Sequence, residues 1–176
     1  VAVRYNLARR HARELLARGE VIQPPVPVDL LARLVGAKIR YEQFDGDGDV
    51  SGLVRRRPDG SAIIGVNAAN SLRRQRFTIA HEVGHLLLHL DEDFHIDERF
   101  PIGFRSEVSS LAVDPREIEA NQFAAELLMP ASFLRADLLG RSFDIESDDA
   151  LDELATRYEV SLQAMAIRLS SLRLVR

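Results

Sequence analysis

The sequence predicts a single α+β domain with a small antiparallel sheet, a central helix carrying His81-Glu82-Val83-Gly84-His85, and a C-terminal helical pair. Three observations predict it. A chain of 176 residues with a 46% apolar share suits one compact unit with a real core. Short alternating runs gather between residues 37 and 67, and helical periodicities lie before and after them. No apolar run approaches the roughly eighteen residues that a membrane span requires.

Element by element, Tyr5–Arg18 has helical period, with Leu7, Ala12, Leu15 and Leu16 on or near one face. Gln23-Pro24-Pro25-Val26-Pro27 ends that helix and leads to a short one over 29–35. Residues 37–44 alternate, with Ile39 and Tyr41 in step, as a strand does. Asp45-Gly46-Asp47-Gly48-Asp49 has the spacing of a calcium loop but no glutamate at its twelfth position, so it is a plain acidic turn. Residues 51–56 and 61–67 form a hairpin across Pro58-Asp59-Gly60. Asn70 or Ser71 then caps the motif helix, which runs to about residue 90. Residues 91–114 show little periodicity and carry Asp91, Glu92, Asp93, Asp97 and Glu98; they read as a long loop that walls or covers the site. Asp114-Pro115 supplies a cap and a proline at the first helical position, and Pro130 stops the helix over 116–129. Two further helices, 150–158 and 162–172, meet at Glu159-Val160-Ser161. The organisation expected is a core over residues 1–140 and a helical extension over 141–176 that packs on it.

Composition excludes several classes. With no cysteine, the chain has neither a disulfide framework nor a thiolate metal site, so any metal ligands are His, Asp or Glu. A net charge of −4 argues against direct nucleic-acid binding, which leaves a basic footprint. The first twenty residues are Arg-rich and lack the apolar core of a signal peptide, so the expectation is a cytoplasmic protein with no membrane association. Val1 is not an initiator methionine, which leaves room for a module of a longer chain.

The chemistry concentrates in five residues. On a helix, positions i and i+4 share a face, so the imidazoles of His81 and His85 can reach one ion, and zinc accepts such nitrogens at about 2.0–2.1 Å. Glu82 lies about 100° round the helix from His81, where it can meet a water beside the ion without binding the ion itself. Phe77-Thr78-Ile79-Ala80 before the motif and Leu86-Leu87-Leu88 after it make the helix apolar nearly all round, and such a helix is buried. Buried histidines and a buried glutamate need partners, and one metal ion satisfies all of them. A catalytic zinc takes three protein ligands and keeps one open position. Residues 117–128 offer the third. Ala120, Phe123, Ala124, Leu127 and Leu128 share the core face, Glu117 falls at its edge, and Glu119 points with Gln122 and Glu126 to the polar side. Glu117 is therefore preferred over Glu119, although it also completes a D-x-x-E capping box with Asp114. Asn121, one turn along, is placed to orient a ligand histidine.

Residues 76–89 (Arg76-Phe77-Thr78-Ile79-Ala80-His81-Glu82-Val83-Gly84-His85-Leu86-Leu87-Leu88-His89), followed by Glu117-Ile118-Glu119-Ala120-Asn121-Gln122-Phe123-Ala124-Ala125-Glu126-Leu127-Leu128-Met129-Pro130, resemble the ImmA/IrrE family of metallopeptidases. The resemblance is strong over residues 44–130 and looser at both ends. It implies a zincin-like domain of the gluzincin group, one zinc per chain on His81, His85 and Glu117, and Glu82 as the catalytic residue. It further implies a regulatory endopeptidase of transcription or stress responses that cleaves a helix-turn-helix repressor or an antitoxin-type partner. Other residues are less defined. Tyr41, Tyr158, His95 and Arg105 are each candidates to stabilise an oxyanion. His89 is a structural neighbour of the ligands, Gly84 suits a close helix or strand approach, and the 61–67 strand offers an edge for an extended substrate. The competing expectation is a zinc-fold module that acts on a partner or DNA without proteolysis. It rests on the helix-turn-helix rhythm of residues 151–169, with Gln163, Arg168 and Arg173 as the groove-facing candidates.

Overall fold

The computed structural model describes residues 2–44, 50–91, 93–98, 114–139 and 148–174. In chain order it runs α1 (Tyr5–Arg18), α2 (Val28–Leu34), β1 (Ala37–Glu42), β2 (Val50–Arg56), β3 (Ala62–Asn67) and α3 (Leu72–Leu88). Then follow β4 (Phe94–Glu98), α4 (Pro115–Leu128), α5 (Ala131–Leu138), α6 (Asp148–Tyr158) and α7 (Leu162–Ser171). The α+β expectation holds, and the calcium-like loop at 45–49 lies outside the described residues.

Helix α1 buries Ala8, Ala12, Leu15 and Leu16, one stripe at helical spacing. The four strands lie in the order β1-β3-β2-β4. The hairpin pairs antiparallel through Val54↔Ile64 and Arg56↔Ala62, and β4 joins β2 antiparallel through Val54↔His95. The sheet is nonetheless mixed, because β1 pairs with β3 in parallel. A chain that doubles back in β2 one place away, then turns again into β3, arrives beside β1 running the same way.

The acidic stretch after α3 is not all loop. Phe94 and Ile96 are exposed on one face of β4, while His95 sits opposite the buried Val54 on the inner face. This period-two pattern is only one strand long and is surrounded by acidic residues, which hide it from a periodicity reading. Residues 99–113, and with them Arg105 and most of the expected cover, lie outside the described residues. Helix α5 was also not anticipated. Pro130 ends α4 and at once becomes the N-cap of α5, whose buried Ala131 and Leu134 are one turn apart.

The site is positioned by layers. Helix α3 packs on β2 and β3 on one side and on α4 on the other, and α1 covers α4. Ser71 caps α3 by accepting from the Arg74 N–H at 3.3 Å, and Asp114 caps α4 by accepting from the Arg116 N–H at 2.9 Å. At Gly84 a Cβ would stand 3.2 Å from the Ala120 Cα and 3.2 Å from the Phe123 ring, so only glycine lets α3 and α4 lie this close. Helices α6 and α7 add Leu154, Ala155, Tyr158, Met165 and Leu169 to the same buried core. Among the described residues no helix is long and apolar enough to cross a membrane.

Candidate metal centre

The spacing of His81, His85 and His89 puts three imidazoles along one stripe of α3, and the layers on both sides bury all of them. Glu117 leaves the first turn of α4 and reaches the first two. Its carboxylate oxygens stand 3.3 Å from His81 Nε2 and 3.1 Å from His85 Nε2, and the two Nε2 atoms are 3.1 Å apart. Three atoms held tetrahedrally at zinc–ligand distances would be about 3.3 Å from one another. The triangle of donors therefore has the size that one ion would give it.

Proton counting points the same way. The far nitrogen of His81, Nδ1, faces Asn121 Oδ1 at 3.1 Å and is the protonated one, because an amide oxygen only accepts. Glu119 likewise only accepts, so His89 presents an N–H to it through Nε2, 3.1 Å away. His89 Nδ1 lies 3.0 Å from His85 Nδ1, and with His85 as the donor of that pair its Nε2 carries the lone pair. Both Nε2 atoms thus turn lone pairs toward the Glu117 carboxylate. Three buried lone-pair donors facing one point suit a cation. Burial lowers the His85 pKa to about 3, so it is neutral and able to ligate at neutral pH. Burial raises the Glu117 carboxyl, but its contacts with His81 and His85 outweigh that and hold it below the ordinary carboxylate range.

His95 arrives from β4. Its Nε2 is 3.3 Å from Glu117 Oε1, and all four residues offer ligand atoms within 4.8 Å of one another. Its ring lies almost flat on His85, with centroids 3.6 Å apart and planes at 18°. Parallel rings stacked this way send their lone pairs alongside each other rather than to one point. The sequence offered His95 only as one of four possible donors; its alternation with Phe94 and Ile96 is the signal that selects it. Tyr41 instead donates to Asp29 at 2.8 Å and Tyr158 to Asp137 at 2.8 Å, each away from the histidines.

A model of the Peptidase_M78 family, described as the IrrE N-terminal-like domain, matches residues 32–170. The chain belongs to that family. Within the IrrE N-terminal-like domain fall both histidines of the motif, Glu82, Glu117 and Asn121. Among solved structures the fold is similar to a Mycobacterium tuberculosis transcriptional regulator, at 17% identity and a TM-score of 0.60. That alignment covers 94% of this chain and 46% of the other, so the chain spans about half the length of that neighbour. No curated protein matches.

Three sequence expectations need correction. The side of α4 that carries Glu119 and Glu126 is not solvated: both carboxylates are buried. Glu119 meets Arg4, and Glu126 meets Arg13 of α1 and Arg168 of α7. A helical wheel gives an angle but not what stands there, and here two arginine-bearing helices stand there. Arg168, a proposed groove reader, is likewise buried, donating to the Met129 carbonyl at 3.0 Å as well as to Glu126. Nor is the 61–67 strand an edge. It lies between β1 and β2, leaving β1 and β4 as the outer strands.

Proposed function

We propose that this chain is a zinc-dependent endopeptidase whose substrate is a helix-turn-helix repressor or an antitoxin-type partner. The observation that carries the peptidase reading is the fully buried Glu82 carboxylate, one residue from His81 and wedged between α3 and β2. Position 52 of β2 passes so near that a Cβ there would drive into Thr78 and come to 3.4 Å from Glu82 Oε1. A buried carboxylate next to the first motif histidine stands where a hydrolase needs its general base.

His81 Nε2, His85 Nε2 and Glu117 would hold the zinc, and Asn121 and His89 keep the two imidazoles turned the right way. Zinc there supplies Lewis acidity toward the scissile carbonyl. Glu82 takes a proton from the attacking water as its oxygen bonds to the carbonyl carbon. It returns that proton to the amide nitrogen as the C–N bond breaks. His95, 18% exposed at the β4 side of the group, provides a ring N–H for the developing oxyanion. An extended peptide adds to the outer edge of β4, the strand that carries His95.

The regulatory partner rests on the family and on the neighbour's description as a transcriptional regulator. The non-proteolytic alternative is weakened by the burial of Arg168, which leaves Gln163 and Arg173 as exposed candidates on α7 and just beyond it. The test incubates wild type and Glu82→Gln with a candidate helix-turn-helix partner, and follows both its cleavage and the zinc content. About one zinc per chain in both proteins is expected, with cleavage reduced about 10²–10⁴-fold in the variant. Undiminished cleavage by Glu82→Gln would sink the hydrolase mechanism. Relief of repression by both proteins without cleavage would favour the binding module.

A further inference from the structure

Arg4 stands at the N-cap of α1, outside the 32–170 stretch that the family model matches. It nevertheless grips the buried Glu119. Its backbone N–H donates to Oε1 at 2.7 Å, its Nε to Oε1 and Oε2 at 3.0 and 3.1 Å, and a terminal guanidinium nitrogen to Oε2 at 2.7 Å. The same guanidinium reaches the Leu88 carbonyl at the end of α3, 3.4 Å away. Glu119 then accepts from His89, and His89 meets His85.

We infer that Arg4, Glu119 and His89 form a positioning relay that ties the start of helix α1 to His85, making α1 part of the metal site. This rests on the metal reading given above. Gripped by Arg4, the Glu119 carboxylate holds His89 through Nε2, which turns His89 Nδ1 toward His85 Nδ1 and leaves His85 Nε2 facing the proposed ion. With Glu119 neutralised or released, either ring can turn the wrong nitrogen outward. Such neighbours of metal ligands typically alter affinity by about 10–100-fold when removed. Coupling is reciprocal: whatever α1 docking contributes to metal binding, the metal contributes to α1 docking.

Helix α1 supplies its own control. Arg13 bridges α1 to α4 through Glu126 at 2.8 Å but touches no member of the relay. Zinc affinity is measured by chelator competition on the full chain for wild type, Arg4→Ala, Arg4→Lys, Glu119→Gln and Arg13→Ala. The visible spectrum of each Co(II)-substituted protein reports ligand orientation. Arg4→Ala and Glu119→Gln are expected to weaken zinc by about 10–100-fold and to alter the Co(II) spectrum. Arg4→Lys restores part of the affinity, and Arg13→Ala lowers the unfolding midpoint while leaving affinity and spectrum as in wild type. In wild type, zinc slows hydrogen exchange across α1. Zinc bound equally by wild type, Arg4→Ala and Glu119→Gln overturns the relay alone. A matching loss in Arg13→Ala reduces Arg4 to general packing and overturns it too. No zinc on the wild-type chain overturns the metal site and the relay together.

Discussion

Gly84→Ala tests whether the α3–α4 contact sets the geometry of the proposed ligands. The new Cβ would meet the Ala120 Cα and Phe123 Cδ1 at 3.2 Å and the Ala120 carbonyl oxygen at 3.3 Å. Comfortable carbon contacts are about 3.5–4.0 Å, so the helices must part by a few tenths of an ångström, and two of the three obstacles are backbone. Alanine gains about 1 kcal/mol over glycine inside a helix, and overpacking a close interface costs about 1–3 kcal/mol. The net expectation is a metal-free protein between unchanged and about 2 kcal/mol less stable. Zinc affinity should fall as well. His81 and His85 ride on α3 and Glu117 on α4, so parting the helices widens the donor triangle by a distance comparable with the roughly 0.5 Å tolerance of such sites. A loss of about tenfold in affinity, near 1.4 kcal/mol, is expected. Urea unfolding of the chelator-treated protein gives the first quantity and chelator competition the second. Gly65→Ala is the control: its Cβ would meet Leu53 and Phe44 side-chain atoms at 3.1–3.4 Å, which can yield. Wild-type zinc affinity in Gly84→Ala, with unchanged apo stability, would refute the idea that this contact fixes the ligands.

Two other outcomes follow from the site. His95→Ala should retain zinc at wild-type affinity and lower kcat, because the flat stack on His85 suits an N–H donor and not a fourth ligand; loss of metal in that variant would reverse the assignment. The metal-free protein should lose stability in acid. His85 has a folded pKa of about 3 against an ordinary 6.5, so between those values the unfolded chain binds the extra proton and stability falls as pH falls. Glu117 and Glu119, both held below the ordinary 4.5, add a further loss under about pH 4.5. Urea midpoints at about pH 7.5 and about pH 5.5, with chelator present, check the sign, and a midpoint that rises in acid contradicts it.

What the sequence made legible is what depends on local chemistry. The bounds of α1 follow from one apolar stripe, and the starts of α3 and α4 from Ser71 and from Asp114-Pro115. The hairpin follows from Pro58-Asp59-Gly60, whose Asp59 accepts from the Ser61 N–H at 2.9 Å. The convergence of His81, His85 and Glu117 follows from helical angles, because two apolar helices pressed together leave their edge carboxylate few directions to face. What escaped depends on partners distant in sequence. Strand β4 exists because β2 offers it an edge, and His95 enters the site only through that pairing.

Glu119 shows why the polar side of α4 was misread. Glu119 and Glu126, with Gln122, resemble a solvated face only while nothing cationic is opposite them, and Glu117 at the edge of the core face is the third carboxylate of the helix. The sequence did contain the complement, since α1 and its cap are rich in arginine, but pairing Arg4 with a residue 115 positions away requires the packing of α1 on α4 to be known first. Each of these buried carboxylates then takes a different cation: Glu117 the proposed metal, Glu119 Arg4, and Glu126 Arg13 with Arg168. A buried carboxylate without its cation costs several kcal/mol, so the three pairings also select one docking of α1, α4 and α7 against the others. The same electrostatic requirement that would bring a metal to α3 and α4 therefore fixes the helices around them.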